Sequence, residues 1–233
     1  MSKEEQVRAI TQQTWKIAMA RYIRSLDVKT VDFFLRQLWG ACLNYFREDI
    51  DAFDFVDVVT SSIATQLTRA WNEGARAVGV EPSDMDEEDH NQLQGIINNE
   101  YEFILGLAED IDQARRDGLD RESFSSRFRS RIEIWANRYN ETVSRAKVWF
   151  GGKIRLKWTL GLTEEHCSTC LQLNGIVAQA IEWETSGIRP QNPPNPVLEC
   201  KGYHCDCSLE VTKDRRSPDA LDRLMNIAAG ANL

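Results

Sequence analysis

No apolar run in this chain of 233 residues approaches the roughly 18 that a membrane-spanning helix needs. The opening stretch MSKEEQVRAITQQTWKIAMA is charged and then amphipathic, without the basic start and apolar centre of a secretory signal, so a cytosolic, reducing compartment is expected. Histidines number only three, which leaves little choice of a general base. No P-loop, GxSxG or HExxH motif occurs. A zinc deaminase would need H-x-E upstream of P-C-x-x-C, but Asn91 and Gln92 follow His90, and no proline precedes Cys167. His166 adjoins Cys167, yet neighbours in sequence do not make a nucleophile and its base. A non-enzymatic protein is expected.

What is present is ample for a core: 42% of residues are hydrophobic and seven are tryptophan, which excludes wholesale disorder. The net charge of -8 argues against a chain that coats nucleic acid uniformly. That total conceals an asymmetry. Residues 81–120 carry thirteen acidic and two basic side chains, whereas 121–161 carry three acidic and ten basic ones. The two blocks are either solvated faces that pair within the fold or a surface for a partner.

Residues 1–150 read as a helical region that holds the acidic segment 81–120 and the basic segment 121–150. Apolar residues recur there every three or four positions, and only Pro82 interrupts. Helices are expected over Val7–Ile23, about Val31–Phe46 and Val56–Val78. A fourth follows a cap at Ser83 or Asp84, with Leu93, Ile97, Tyr101, Ile104, Ala108 and Ile111 as its buried stripe. The fifth is capped by Asp120 and buries Phe124, Phe128, Ile132, Trp135, Tyr139, Val143, Ala146 and Trp149. Arg127, Arg131, Arg138 and Arg145, spaced by four and seven, share another face of that helix. They meet either the acidic fourth helix or a partner such as DNA.

At Gly151-Gly152 the pattern changes, and residues 151–233 read as a small α+β module. KIRLKWTL alternates with a period of two and predicts a strand. Asn174-Gly175 between apolar flanks predicts a hairpin. IEWETSG suggests one helical turn, RPQNPPNP an extended loop, CSLEVT a strand, and SPDALDRLMNIAAG a helix capped at Ser217.

Five of the six cysteines fall between Cys167 and Cys207, while Cys42 in an apolar helical stretch reads as a small buried hydrophobe. In a reducing compartment such clustering points to metal ligands before disulfides. Cys167 and Cys170 form a CxxC; Cys200, Cys205 and Cys207, with His204, offer three thiols and an imidazole for two further positions. Cys167, Cys170, Cys200 and Cys205 make the best tetrahedral set, and Cys207 is able to replace either of the last two. Four thiolates would make the ion a closed structural zinc that contributes folding energy. The bland alternative is a set of free thiols. Asp206 and Glu199 read as lone solvated carboxylates.

Together, RIEIWANRYNETVSRAKV, KIRLKWTLG, EHCSTCLQLNGIV and LECKGYHCDCSLEVT resemble the phage Mu F-like minor head proteins, the phage head morphogenesis family. The likeness covers about residues 124–212. It departs from the family's His-Pro-x-Cys-x-Cys ending, since Gly202 stands where the histidine would be and Cys200 adds a thiol. The resemblance implies a structural protein of the virion head, found in the host cytoplasm during assembly. It would sit in few copies near the portal, contact portal and capsid proteins, and assist head assembly and DNA packaging or ejection. A zinc-dependent nucleic-acid-binding or nuclease module is the alternative, drawn from the basic block.

Overall fold

The computed structural model describes residues 31–161, 165–191, 195–203 and 205–230. The helix expected over Val7–Ile23 and the candidate ligand His204 lie outside the described residues. Four helices come first: α1 (Val31–Phe46), α2 (Ala52–Ala77), α3 (Glu87–Arg116) and α4 (Arg121–Gly151). Shorter elements follow: β1 (Arg155–Thr159), α5 (Ser168–Leu173), β2 (Val177–Gln179), α6 (Ala180–Ser186), β3 (Ser208–Val211) and α7 (Ala220–Gly230). The protein is therefore mainly helical, with a small α+β part at its C-terminal end. Among the described residues, no helix is long and apolar enough to cross a membrane.

Helices α2, α3 and α4 each start where a carboxylate can take the orphan N–H groups of the first turn. Asp51 accepts from Asp54 N–H at 2.8 Å, so α2 begins four residues before the expected Val56. Asp86, rather than Ser83 or Asp84, caps α3; Asp86 and Asp89 accept from each other's backbone, while Pro82–Asp84 form a separate 3₁₀ turn. Asp120 caps α4 as expected.

The first core is built by α1 to α4 around Leu38, Phe55, Ile63, Trp71, Ile104, Leu107, Ile111, Phe124 and Phe128, all almost fully buried. Burying a side chain of this size contributes about 1.5–3 kcal/mol. Cys42 is wholly buried here, and that burial pushes its thiol up to about 12, as befits a small hydrophobe. On α3 the buried stripe is shifted from the expected one. Ile96 and Glu100 point inward and Tyr101 is 45% exposed, because the Glu100 carboxylate has partners on α4. Gly74 lets α2 and α4 touch: a Cβ there would lie 2.4 Å from the Val143 carbonyl oxygen.

The second core centres on a three-stranded antiparallel sheet of order β2-β1-β3, with Leu156 opposite Ala178 and Trp158 opposite Leu209. On β1, Leu156 and Trp158 are buried and alternate with half-buried Arg155, Lys157 and Thr159, the period-two pattern seen in the sequence. Trp183 on α6 packs beside Trp158 with ring centroids 5.8 Å apart and donates its indole N–H to Leu156 O at 3.2 Å. Helix α4 reaches both cores, with Ala146 in the first and Val148 in the second. Gly152 caps its C-terminal end at a positive φ of 49°.

Two expectations fail here. Asn174-Gly175 does not turn one strand into another: the LQL before it belongs to α5, and β2 pairs with β1 instead. Gly175, at φ 78°, reverses the chain from helix to strand and donates to Trp158 O at 2.9 Å. Ser217 does not serve as the cap of α7. Its hydroxyl accepts from Val177 N–H at 3.0 Å, while its own N–H donates to Val177 O at 2.8 Å, so it extends the edge of β2.

Candidate metal centre

The five clustered cysteines converge from three pieces of chain onto the second core. Cys167 precedes α5 in extended backbone, and its sulfur accepts the Cys170 N–H at 3.4 Å. One turn of helix thus presents both thiols of the CxxC on one side. Glu199 brings the next piece alongside. Its carboxylate accepts from Ser168 N–H at 2.8 Å and Ser168 Oγ–H at 2.7 Å, and Glu199 N–H donates to Thr169 Oγ1 at 3.2 Å. These bonds hold the Glu199 carboxyl below its usual range. Cys200 follows directly, and Lys201 and Gly202, both at positive φ, fold the chain back after it.

The third piece, Cys205 to Cys207, runs into β3. Gln191 donates to Cys207 O at 3.0 Å. Gly161, just past β1, lies against the backbone of Asp206, where a Cβ would come within 2.4 Å of the Asp206 carbonyl oxygen.

The sulfurs gather as two triads that share one member. Cys167, Cys170 and Cys200 lie within 4.8 Å of one another at the rim, and Cys170, Cys205 and Cys207 do so in the interior. Cys170 and Cys205 are 3.8 Å apart. A tetrahedral ion with metal–sulfur bonds of about 2.3 Å sets its sulfurs about 3.8 Å apart, so this edge has the dimension such a site needs.

Without an ion the thiols compete for protons. Hydrogen bonds from the thiols of Cys170 and Cys205 hold Cys207 down to about 3, and the Gly161 N–H adds to them. Cys170 is pushed up by donating to Cys205 and Cys207. Burial pushes Cys200 up to about 11. A divalent cation would displace those protons, since coordinated thiols bind as thiolates. The donor chemistry fits a soft or borderline ion, and each triad is able to hold a metal.

All five cysteines singled out in the sequence belong to this cluster. Glu199 was read as a solvated carboxylate; although exposed, it braces the two ligand-bearing turns. Its position next to Cys200 was the available signal. Gly161 gave none, because its close approach to Asp206 depends on the sheet.

The arginine face divides. Arg131 pairs with Asp110, and Arg138 Nε lies 3.2 Å from Glu100 Oε1, so both meet the acidic α3. Arg145 is drawn below its ordinary range, first by burial, despite the neighbouring Glu141. Exposed Arg127 stacks over Phe128, 5.5 Å from the ring centroid. Comparison with known proteins returns no match among family models, curated proteins or solved structures.

Proposed function

We propose that this chain is a minor head protein of a phage or prophage, acting near the portal in head assembly and DNA packaging or ejection, with a structural zinc in its C-terminal part. The observation that carries this reading is the convergence of the CxxC turn and the CxC segment on Cys170, against a sheet whose central strand follows the long α4. Helix, strand, CxxC, proline-containing loop and CxC follow one another in the order of the segments that resemble the Mu F-like proteins.

Cys167, Cys170 and Cys200 hold the zinc, and Cys205, on its 3.8 Å edge with Cys170, supplies the fourth thiolate. Such a closed site contributes folding energy rather than catalysis. Portal and capsid proteins are the proposed partners. Arg131 and Arg138 already have carboxylate partners within the fold, which favours a protein contact over a phosphate contact along this face.

The test is biochemical and genetic. Co-expressed portal protein should co-purify with the chain, and heads from an induced host should contain it in few copies. Heads that lack the chain altogether and portal protein that never associates with it would sink the proposal.

A further inference from the structure

We propose that the cysteine cluster takes two ions of the zinc class, which share the Cys170 thiolate. This rests on the metal-centre reading above and extends it with a second site. One ion occupies the rim on Cys167, Cys170 and Cys200, its fourth corner left to a non-cysteine donor, because Cys205 does not lie within 4.8 Å of all three and is given over to the inner ion. The other sits inside on Cys170, Cys205 and Cys207, its fourth corner left to a donor other than cysteine.

Three observations lead here. Five thiols converge, one more than a single tetrahedral ion accepts. Among the described residues, the sulfurs within 4.8 Å of one another come in threes that share Cys170, rather than as one foursome. Within the inner triad the Cys170–Cys205 edge measures 3.8 Å, the dimension of a tetrahedral site in its own right. A thiolate sulfur has lone pairs enough to bind two closed-shell ions at once.

Charge favours the same arrangement. Cys170, Cys205 and Cys207 are all at most 5% exposed, so uncompensated charge there is costly. Four thiolates around one divalent ion leave two negative charges and strand the fifth thiol as a proton carrier. Five thiolates around two such ions leave one. Backbone N–H groups reach sulfurs of both triads: Cys170 to Cys167 and Gly202 to Cys200 at the rim, and Gly161 to Cys207 inside. Each cysteine still protonated releases its proton to solvent as the metal binds, so loading should acidify an unbuffered solution.

The experiment is metal counting on the reduced full chain, stripped of metal and reloaded with cadmium or zinc, by native mass spectrometry. Wild type should hold two ions and Cys207→Ser one. With cadmium, wild type should give two NMR resonances coupled through the shared Cys170 sulfur. One ion per wild-type chain, or two uncoupled resonances, overturns the proposal. No ion at all would instead sink the metal-centre reading beneath it. The wild-type count decides the matter even if the variant does not fold.

Discussion

The Trp135 indole N–H donates to Glu100 Oε2 at 2.9 Å, and this bond joins α4 to α3 inside the helical core. Arg138 approaches the other oxygen of the same carboxylate at 3.2 Å, with side-chain exposures of 15% for the arginine and 5% for the glutamate. Burial raises the Glu100 carboxyl, while Arg138 and the indole oppose that rise. Removing one member leaves the other charge buried without its partner. Glu100→Ala should therefore lower stability by about 3–5 kcal/mol, as seen when buried pairs are broken. Urea denaturation would measure it, and a change within about 0.5 kcal/mol would show that Arg138 finds another partner.

A second carboxylate sets the acid limit of the C-terminal part. Glu182 accepts from Arg216 Nε at 2.9 and 3.1 Å and from Gln179 N–H at 2.8 Å, joining α6 to the segment before α7. The hydrogen bonds from Arg216 lower its pKa below the ordinary 4.5. A lowered carboxyl pKa means that the unfolded chain binds the proton more readily. The stabilisation is complete above 4.5 and is lost as pH falls through the folded value. Glu182→Gln should cost about 1.5–3 kcal/mol at neutral pH and flatten this part of the acid limb in melts taken from pH 7 downward.

Metal removal should separate the two cores. Cys167→Ser and Cys170→Ser should lose bound zinc and unfold the sheet region, while α1 to α3 keep their far-ultraviolet helical signal. Chelation of the wild type should do the same, because binding free energy at such a site is folding free energy. Metal-free protein with unchanged near-ultraviolet dichroism from Trp158 and Trp183 would count against a structural ion.

Much of this was legible in advance where the local pattern and the tertiary structure demand the same thing. The α4 stripe from Phe124 to Trp135, the Asp120 cap and the alternation on β1 are of that kind. The α3 stripe was misplaced because an acidic residue, Glu100, is buried in place of the aromatic Tyr101. Only the indole and guanidinium of α4 make that choice favourable. Asn174-Gly175 signalled a chain reversal correctly, but the hydrogen bonding of β1, which is distant in sequence, decided what lies on either side. For the cysteines, spacing identified the members of the cluster; its division into two triads needed the chain path through Glu199 and Gly161.

Gly161 provides a test of how tightly the CxC segment is held. Its missing side chain leaves room for the Asp206 backbone, and a Cβ would lie 2.2 Å from Asp206 Cβ. Gly161→Ala should push Cys207 away from the cluster and cost about 1–3 kcal/mol through overpacking. Metal affinity should fall with it, as competition with a chromogenic chelator would show. Gly95, which has open space around its α-carbon, is the control.

The arginine face allows the intramolecular and intermolecular roles to be measured separately. Arg138→Glu would set a second carboxylate beside the buried Glu100, so a loss on the order of 3–5 kcal/mol is expected. Arg131→Glu breaks a half-exposed pair with Asp110 and should cost only about 0–1 kcal/mol. Arg127 and Arg129 are exposed, and reversing both should leave the melting curve nearly unchanged. That double variant therefore tests the partner alone. If portal protein docks on this end of α4, co-purification should drop while thermal stability holds. If DNA docks there, binding by the wild type should weaken steeply with salt as counterions are released, and the variant should show a shallower slope. A variant that binds portal protein and DNA as well as wild type would leave the basic segment with its intramolecular role only, the pairing with α3 already made by Arg131 and Arg138.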